Sequence, residues 1–203
     1  MAARASTGLH GDPAVLWVGH LNENKDPMTM LAGVSMAARR LPDLQLWCCF
    51  GTAPLQAPVQ RHIDADPHLR NRVHLLGKVA HERIETLMRA ADLFVLGSHR
   101  EAMGVSVMEA LACGLPPVVT DIPSFRALTR NGTVGALWPC DDIDALSKAL
   151  LSVARRPRQE TRAAVRAHFE SKLSFAAVGR ALVAAYDRLL ERKNLAATVS
   201  NCA

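Results

Sequence analysis

The chain has 203 residues, enough for one substantial domain with an appendage or for one lobe of a two-lobed enzyme. Hydrophobic residues make up 49% and charged residues 21%, which excludes disorder for the bulk of the chain. A net charge of +5 favours anionic ligands, but five Phe, three Trp and one Tyr interleave with no basic block, which argues against direct nucleic-acid binding.

Residues 1–12 carry no apolar pattern, so they read as a disordered tail and not as a secretory signal; the domain proper is expected over 13–193. Residues 14–19 read as a buried strand ending at a glycine. Pro27 then opens a helix over 28–40, with Leu31, Val34 and Ala38 on one face. A strand at 44–50, a short helix at 58–65 and a strand at 72–76 follow, closed by Gly77. Residues 82–91 are helical through Ile84, Leu87, Met88 and Ala91, and 93–96 form the fourth strand.

The same rhythm continues in the second half. A helix over 105–113 ends at Gly114, a glycine cap. Strands at 116–120 and 134–138 flank a short helix at 123–129. Asp141, Asp142 and Asp144 stand at the start of a helix over 143–155, where the helix dipole favours acidic groups. No strand signal recurs after that. Residues 161–170 and 175–193 read as helices, the second amphipathic through Val178, Leu182, Ala185 and Leu189, and 194–203 as a frayed tail. Strands alternating with helices predict an α/β fold: a Rossmann-like parallel sheet of about six strands, helices on both faces and terminal helices over roughly 158–193. No apolar run approaches the roughly 20 residues needed to span a bilayer. The five cysteines have no zinc-ligand spacing, and Cys48 and Cys49 sit in an apolar run as small hydrophobes.

Ligands of an open parallel sheet bind beyond the carboxyl ends of its strands, so the loops after Val18, Leu76, Leu96 and Thr120 matter most. The first, 19–27, contains neither GxGxxG nor GxxxxGK[ST], which disfavours a dinucleotide site and a P-loop. Lys25 lies just before a helix start, where an ammonium and free backbone N–H groups can converge on a phosphate; a solvated surface lysine is the competing reading. The loop after the fourth strand holds Glu101 and leads to Glu109 in the next helix. Between them Gly104 permits close backbone approach, and the amides of Gly104, Val105 and Ser106 are first-turn donors suited to an anion. Glu101 could accept hydrogen bonds from a polyol. Glu109, among Met108, Ala110 and Leu111, is either satisfied by a further pair of hydroxyls or lies on the solvent stripe of its helix.

Glu101-x7-Glu109 followed by residues 110–121 (ALACGLPPVVTD) resembles the signature of the family 4, or group 1, retaining glycosyltransferases. The segment from Val18-Gly19-His20-Leu21 to Lys25 resembles a Gly-Arg-Leu…Lys loop of that family. Residues 73–79, 91–98 and 134–146 resemble three further segments in the same order, and the likeness runs over about 15–151. The resemblance implies one lobe of a GT-B architecture, the one that holds a nucleotide-sugar. By the same resemblance Lys25 would contact the donor diphosphate, assisted by the backbone around Met103, Gly104 and Val105. Glu101 would meet hydroxyls of the transferred sugar near its anomeric carbon, Glu109 would hold the ribose, and the turn through Lys78 and Val79 would border the base. Lys25 and Glu101 are thus the implied catalytic pair. No cofactor is implied beyond the nucleotide-sugar substrate, and no metal is expected, because no Asp-x-Asp cluster sits in a suitable loop.

Three departures bear on the donor. His20 stands where the family has arginine, Ala102-Met103 replaces Gly-Phe before Gly104, and Ser124-Phe125-Arg126 replaces a Gly-Gly run. The reading is retaining transfer from a nucleoside-diphosphate sugar to a sugar, lipid-linked or other acceptor. A lobe of this size is expected to be inactive without an N-terminal acceptor lobe, supplied in cis or in trans. A non-catalytic nucleotide-binding or regulatory module and a GT-B-like UDP-sugar epimerase are the alternatives. The implied location is cytoplasmic; attachment at the inner face of a membrane stays open, because in such enzymes the other lobe often makes it.

Overall fold

The computed structural model describes residues 2–200, with side chains over 4–190. Its centre is a six-stranded, wholly parallel sheet in the order β3-β2-β1-β4-β5-β6. The strands are β1 (Ala14–Gly19), β2 (Gln45–Phe50), β3 (Val73–Gly77), β4 (Leu93–Leu96), β5 (Pro117–Thr120) and β6 (Ala136–Trp138). Ala14, Val15, Leu16 and Trp17 are consecutive and all buried, as are the four residues of β4. Continuous burial in place of alternation follows from helices covering both faces.

The chain builds outward from β1 to β3, returns to place β4 beside β1, and builds outward again to β6. The strand order therefore reverses between β1 and β4, the place where an open parallel sheet offers a crevice beyond its carboxyl edge. The helices are α1 (Ala2–Thr7), α2 (Pro27–Ala38), α3 (Gln56–Ala65), α4 (His81–Ala90), α5 (Val105–Ala112), α6 (Pro123–Thr129), α7 (Ile143–Ala154), α8 (Arg158–Lys172) and α9 (Phe175–Ser200). Helix α2 packs on α7, while α4 packs on α1 and α5, and α5 on α8. The α2–α7 contact is tight because Gly33 has no side chain: a Cβ there would lie 2.5 Å from Leu146 Cδ2. Trp17, Phe94, Phe125 and Trp138 are fully buried in one continuous core. Among the described residues no helix is long and apolar enough to cross a membrane, and Cys48, Cys49, Cys113 and Cys140 are free thiols.

Strand ends differ from those expected by at most two residues. The expectation of a disordered tail over 1–12 is corrected. Residues 2–7 form α1, which docks on α4, and Leu9 is 4% exposed. Polar anchors hold the segment: Arg4 pairs with Asp92 and donates to the carbonyls of Ala90 (3.0 Å) and Gly11 (3.1 Å). The tail expected over 194–203 is likewise corrected as far as Ser200, because α9 continues to that residue; 201–203 lie outside the described residues. Helix α8 begins at Arg158, directly after Pro157, three residues earlier than expected. Among the described residues of α9, Val178, Leu182 and Leu189 of the amphipathic pattern are exposed. Phe175 is 98% exposed, and Leu182, Val183, Tyr186 and Leu189 are also exposed.

Candidate functional site

The crevice between the ends of β1 and β4 is built from short-range capping first. After β1 a 3-10 turn over Glu23–Lys25 is capped by Asn22, whose side chain accepts from Lys25 N–H at 3.1 Å. Asp26 then caps α2, its Oδ1 accepting from Thr29 N–H at 3.1 Å. These caps fix the backbone of Lys25 and point its side chain across the crevice, where Nζ pairs with Glu101 Oε1. Both side chains are largely buried, at 14% and 16% exposure. At this burial the pair is little screened by water, and loss of either partner would leave an uncompensated charge.

Glu101 is held from below as well. Ser98 Oγ donates to the same Oε1 at 2.8 Å, and Thr120 Oγ1 donates to the Ser98 carbonyl at 2.5 Å. Ser98 and Thr120 are completely buried. The carboxylate is thereby tied to the ends of both β4 and β5. Its Oε2 has no hydrogen-bond partner among the described residues and is free to accept from a ligand. The loops are stitched together by His99 N–H donating to the Asn24 carbonyl (2.8 Å) and Asn24 Nδ2 donating to the Arg100 carbonyl (3.0 Å). Beside them opens a cleft of roughly 520 Å³, lined by Asn24, His99, Arg100, Glu101, Ile122 and Ser124, within the size range of small-molecule sites.

Helix α5 begins two residues beyond Met103, and no side chain caps it. Gly104, its N-cap, has φ +70°, and a Cβ there would lie 2.8 Å from Phe125 Cε1. Both the left-handed backbone and the lack of space demand glycine. The first-turn amides of Val105 and Ser106 therefore open toward solvent, as donors for an anion. Met103 and Val105 are exposed at 61% and 54%, so a ligand can reach this backbone.

Among the described residues, none of Glu109, His20 and Val79 makes a hydrogen bond or ion pair with Lys25 or Glu101. Glu109, half-buried on α5, makes no hydrogen bond or ion pair among the described residues. His20 is exposed and turned toward the loop after β2, where Thr52 N–H donates to Nδ1 at 3.1 Å. With Nδ1 as acceptor, the neutral ring keeps its proton on Nε2 and can still donate. Val79 is half-buried in the turn after Gly77, which has φ +68°. Sequence reasoning missed Asn24 and the Ser98 and Thr120 supports; it named Ser124 only as a departure from the family, and the buried Ser124 hydroxyl at the cleft wall has no hydrogen-bond partner among the described residues. Small polar residues at strand ends were the available signal for the supports.

The chain matches the model of a family described as glycosyl transferases group 1 over residues 2–169. It belongs to the group 1 glycosyltransferases. A D-inositol 3-phosphate glycosyltransferase of Mycolicibacterium gilvum is 32% identical over 196 residues, covering 93% of the chain. The chain spans 42% of that relative's length. Among solved structures, Anabaena Alr3699/HepE in complex with UDP and glucose superimposes with a TM-score of 0.75 at 19% identity, over 92% of this chain and 51% of that one. The C-terminal domain of the group 1 family protein LpcC from Francisella tularensis superimposes with a TM-score of 0.74 at 15% identity, over 86% of this chain and 92% of that one. This group 1 glycosyltransferase chain thus has the Rossmann-like lobe of the GT-B fold.

Proposed function

We propose that the crevice binds a nucleoside-diphosphate sugar and that the group 1 domain serves retaining transfer of its glycosyl group. The observation that carries this reading is the Lys25–Glu101 pair beside the uncapped mouth of α5. Lys25 has two N–H donors beyond the one given to Glu101, and with the α5 amides it meets the charge that grows on a departing diphosphate. Oε2 of Glu101 accepts from hydroxyls of the transferred sugar. Glu109, half-buried without a partner, takes the ribose hydroxyls, and Val79 borders the base. His20 offers Nε2–H to the diphosphate in place of a permanent cation. A fold neighbour that holds UDP and glucose supports a ligand of this class.

Transfer itself needs an acceptor side. Because the chain spans 42% of a curated relative, we place the acceptor on a second lobe of the kind that the remaining length can form. The exposed apolar residues of α9 are the face such a lobe would cover.

Calorimetric titration of UDP, GDP and ADP, free and as sugar conjugates, tests the donor site. One nucleotide series should bind, and Lys25→Ala or Glu109→Ala should weaken it about 10-fold or more, the loss of a charge-assisted hydrogen bond. Wild-type affinity in both variants overturns the assignment. Donor turnover on addition of a second lobe, absent without it, separates an enzyme from a binding module. Product formed from donor alone would favour the epimerase reading.

A further inference from the structure

A second hollow opens at the amino edge of the sheet, opposite the crevice, where α4 leads into β4 and α5 into β5. It measures about 510 Å³, within the size range of small-molecule sites, and is lined by Arg89, Cys113, Gly114, Arg162, Ala163 and Arg166. Two of these arginines belong to a stripe on α8, in which Arg158, Arg162 and Arg166 follow one another at four-residue spacing. Like charges at that spacing share a helix face and repel, so a counter-charge is needed along it. It is supplied at one end only. Arg158 pairs with Asp12 and stands 3.5 Å from Asp92, which also pairs with Arg4.

Arg162, at the centre of the hollow, makes no ion pair among the described residues. Its guanidinium donates to the carbonyls of Ala91 (2.8 Å), Cys113 (3.1 Å) and Arg89 (3.3 Å), which carry dipoles but no full charge. Burial lowers its pKa; Asp92 opposes that shift, while Arg89 and Arg4 add to it. Arg89 and Arg166 hold only the glutamates four residues away on their own helices, Glu85 and Glu170, and the Ala112 carbonyl. All four of those side chains are about half exposed, so water screens the pairs and a ligand can replace them. Each guanidinium has five N–H donors, and several stay unused on all three arginines. We propose that this hollow binds a phosphate group, carried by a soluble phosphate ester or by a lipid headgroup. One guanidinium satisfies a carboxylate, whereas a phosphate offers more oxygens and more charge to three forked donors. The bound group supplies the counter-charge that Arg162 lacks. The site does not depend on the donor reading, since the length of α5 separates the two: Gly104 caps that helix at the crevice, and its last carbonyl, of Ala112, meets Arg166.

Inorganic pyrophosphate is titrated calorimetrically into the full chain and into Lys25→Ala, Arg89→Gln/Arg166→Gln and Arg39→Gln/Arg40→Gln. The last removes the same net charge from exposed positions at the end of α2. Arg162 is left in place because its carbonyl contacts join α8 to the ends of α4 and α5, and urea midpoints check that each variant folds. One saturable site is expected that Lys25→Ala and Arg39→Gln/Arg40→Gln leave unchanged and that Arg89→Gln/Arg166→Gln weakens by about tenfold or more, the loss of charge-assisted hydrogen bonds. No saturable site, one that survives Arg89→Gln/Arg166→Gln, or one weakened equally by both arginine pairs overturns the proposal and leaves these arginines as caps on helix carbonyls. Cosedimentation with phosphatidylcholine vesicles, with and without phosphatidic acid, then separates the two sources. Retention on the acidic vesicles that Arg89→Gln/Arg166→Gln abolishes assigns the site to a lipid phosphate; pyrophosphate binding without retention assigns it to a soluble ester.

Discussion

At the residue scale, Gly104 is the position where conformation and space coincide most tightly. A methyl group would have to enter a φ of +70° and meet the Phe125 ring at 2.8 Å. Gly104→Ala should destabilise the chain by about 1–3 kcal/mol, read from urea denaturation midpoints. It should also weaken nucleotide binding, because the mouth of α5 shifts with it. His74 carries a pH dependence. Burial, then the nearby His10 ring, lowers its pKa below the usual histidine value while it stacks on Trp47 at 3.9 Å and contacts Gln45 Oε1 at 2.8 Å. The folded state thus disfavours the imidazolium, and the unfolded chain binds more protons between the lowered folded value and about 6.5. Stability should fall as pH drops through that window, and His74→Phe, which keeps the stack, should flatten the slope between pH 7.5 and 5.5. Lys25 and Glu101 were legible as candidates because loop position and motif order mark them. Their mutual ion pair was not, since no spacing rule relates side chains that lie in loops after different strands.

At the element scale, the alternation of short apolar runs with helical stretches disclosed all six strands. Burial on both faces makes such runs nearly continuous in hydrophobicity, and a glycine or proline bounds several of them. Helix α1 escaped because it is held by arginine contacts to Asp92 and to backbone carbonyls and has no apolar stripe of its own. Helix α9 was legible as amphipathic, yet Val178, Leu182 and Leu189 of that pattern are exposed among the described residues, although the helix meets α8. Leu182→Glu and Leu189→Glu should therefore change folding stability by no more than about 0.5 kcal/mol each, since surface substitutions remove no packing here. A larger loss in urea denaturation would show that the face is buried within the chain's own fold.

At the scale of the whole molecule, strand order decides where chemistry is possible. The order reverses between β1 and β4, and the loop after each strand contributes one charge to the pair that joins them. The hydrogen bond from Thr120 to Ser98 adds the end of β5 to this rim, so three neighbouring strands share one carboxylate. The core beneath is continuous from β1 to α7, which gives the rim a rigid base. The fold was legible from hydrophobic pattern because every level of the sequence agrees on it. The candidate site was legible only in its loops, since its geometry is a property of the assembled sheet.

The Lys25–Glu101 contact also bears on which partner the crevice prefers to retain. As a unit the pair is close to neutral, so a free phosphate or a spent nucleotide meets a lysine whose field is already cancelled by the carboxylate alongside. An intact sugar conjugate brings hydroxyl donors for that carboxylate together with phosphates for the ammonium, and satisfies both at once. Affinity should accordingly rank the intact conjugate above its bare diphosphate, with Glu101→Gln narrowing the gap by strengthening the diphosphate. On the proposed donor reading, such a crevice would hold a bare diphosphate less tightly than the sugar conjugate it comes from.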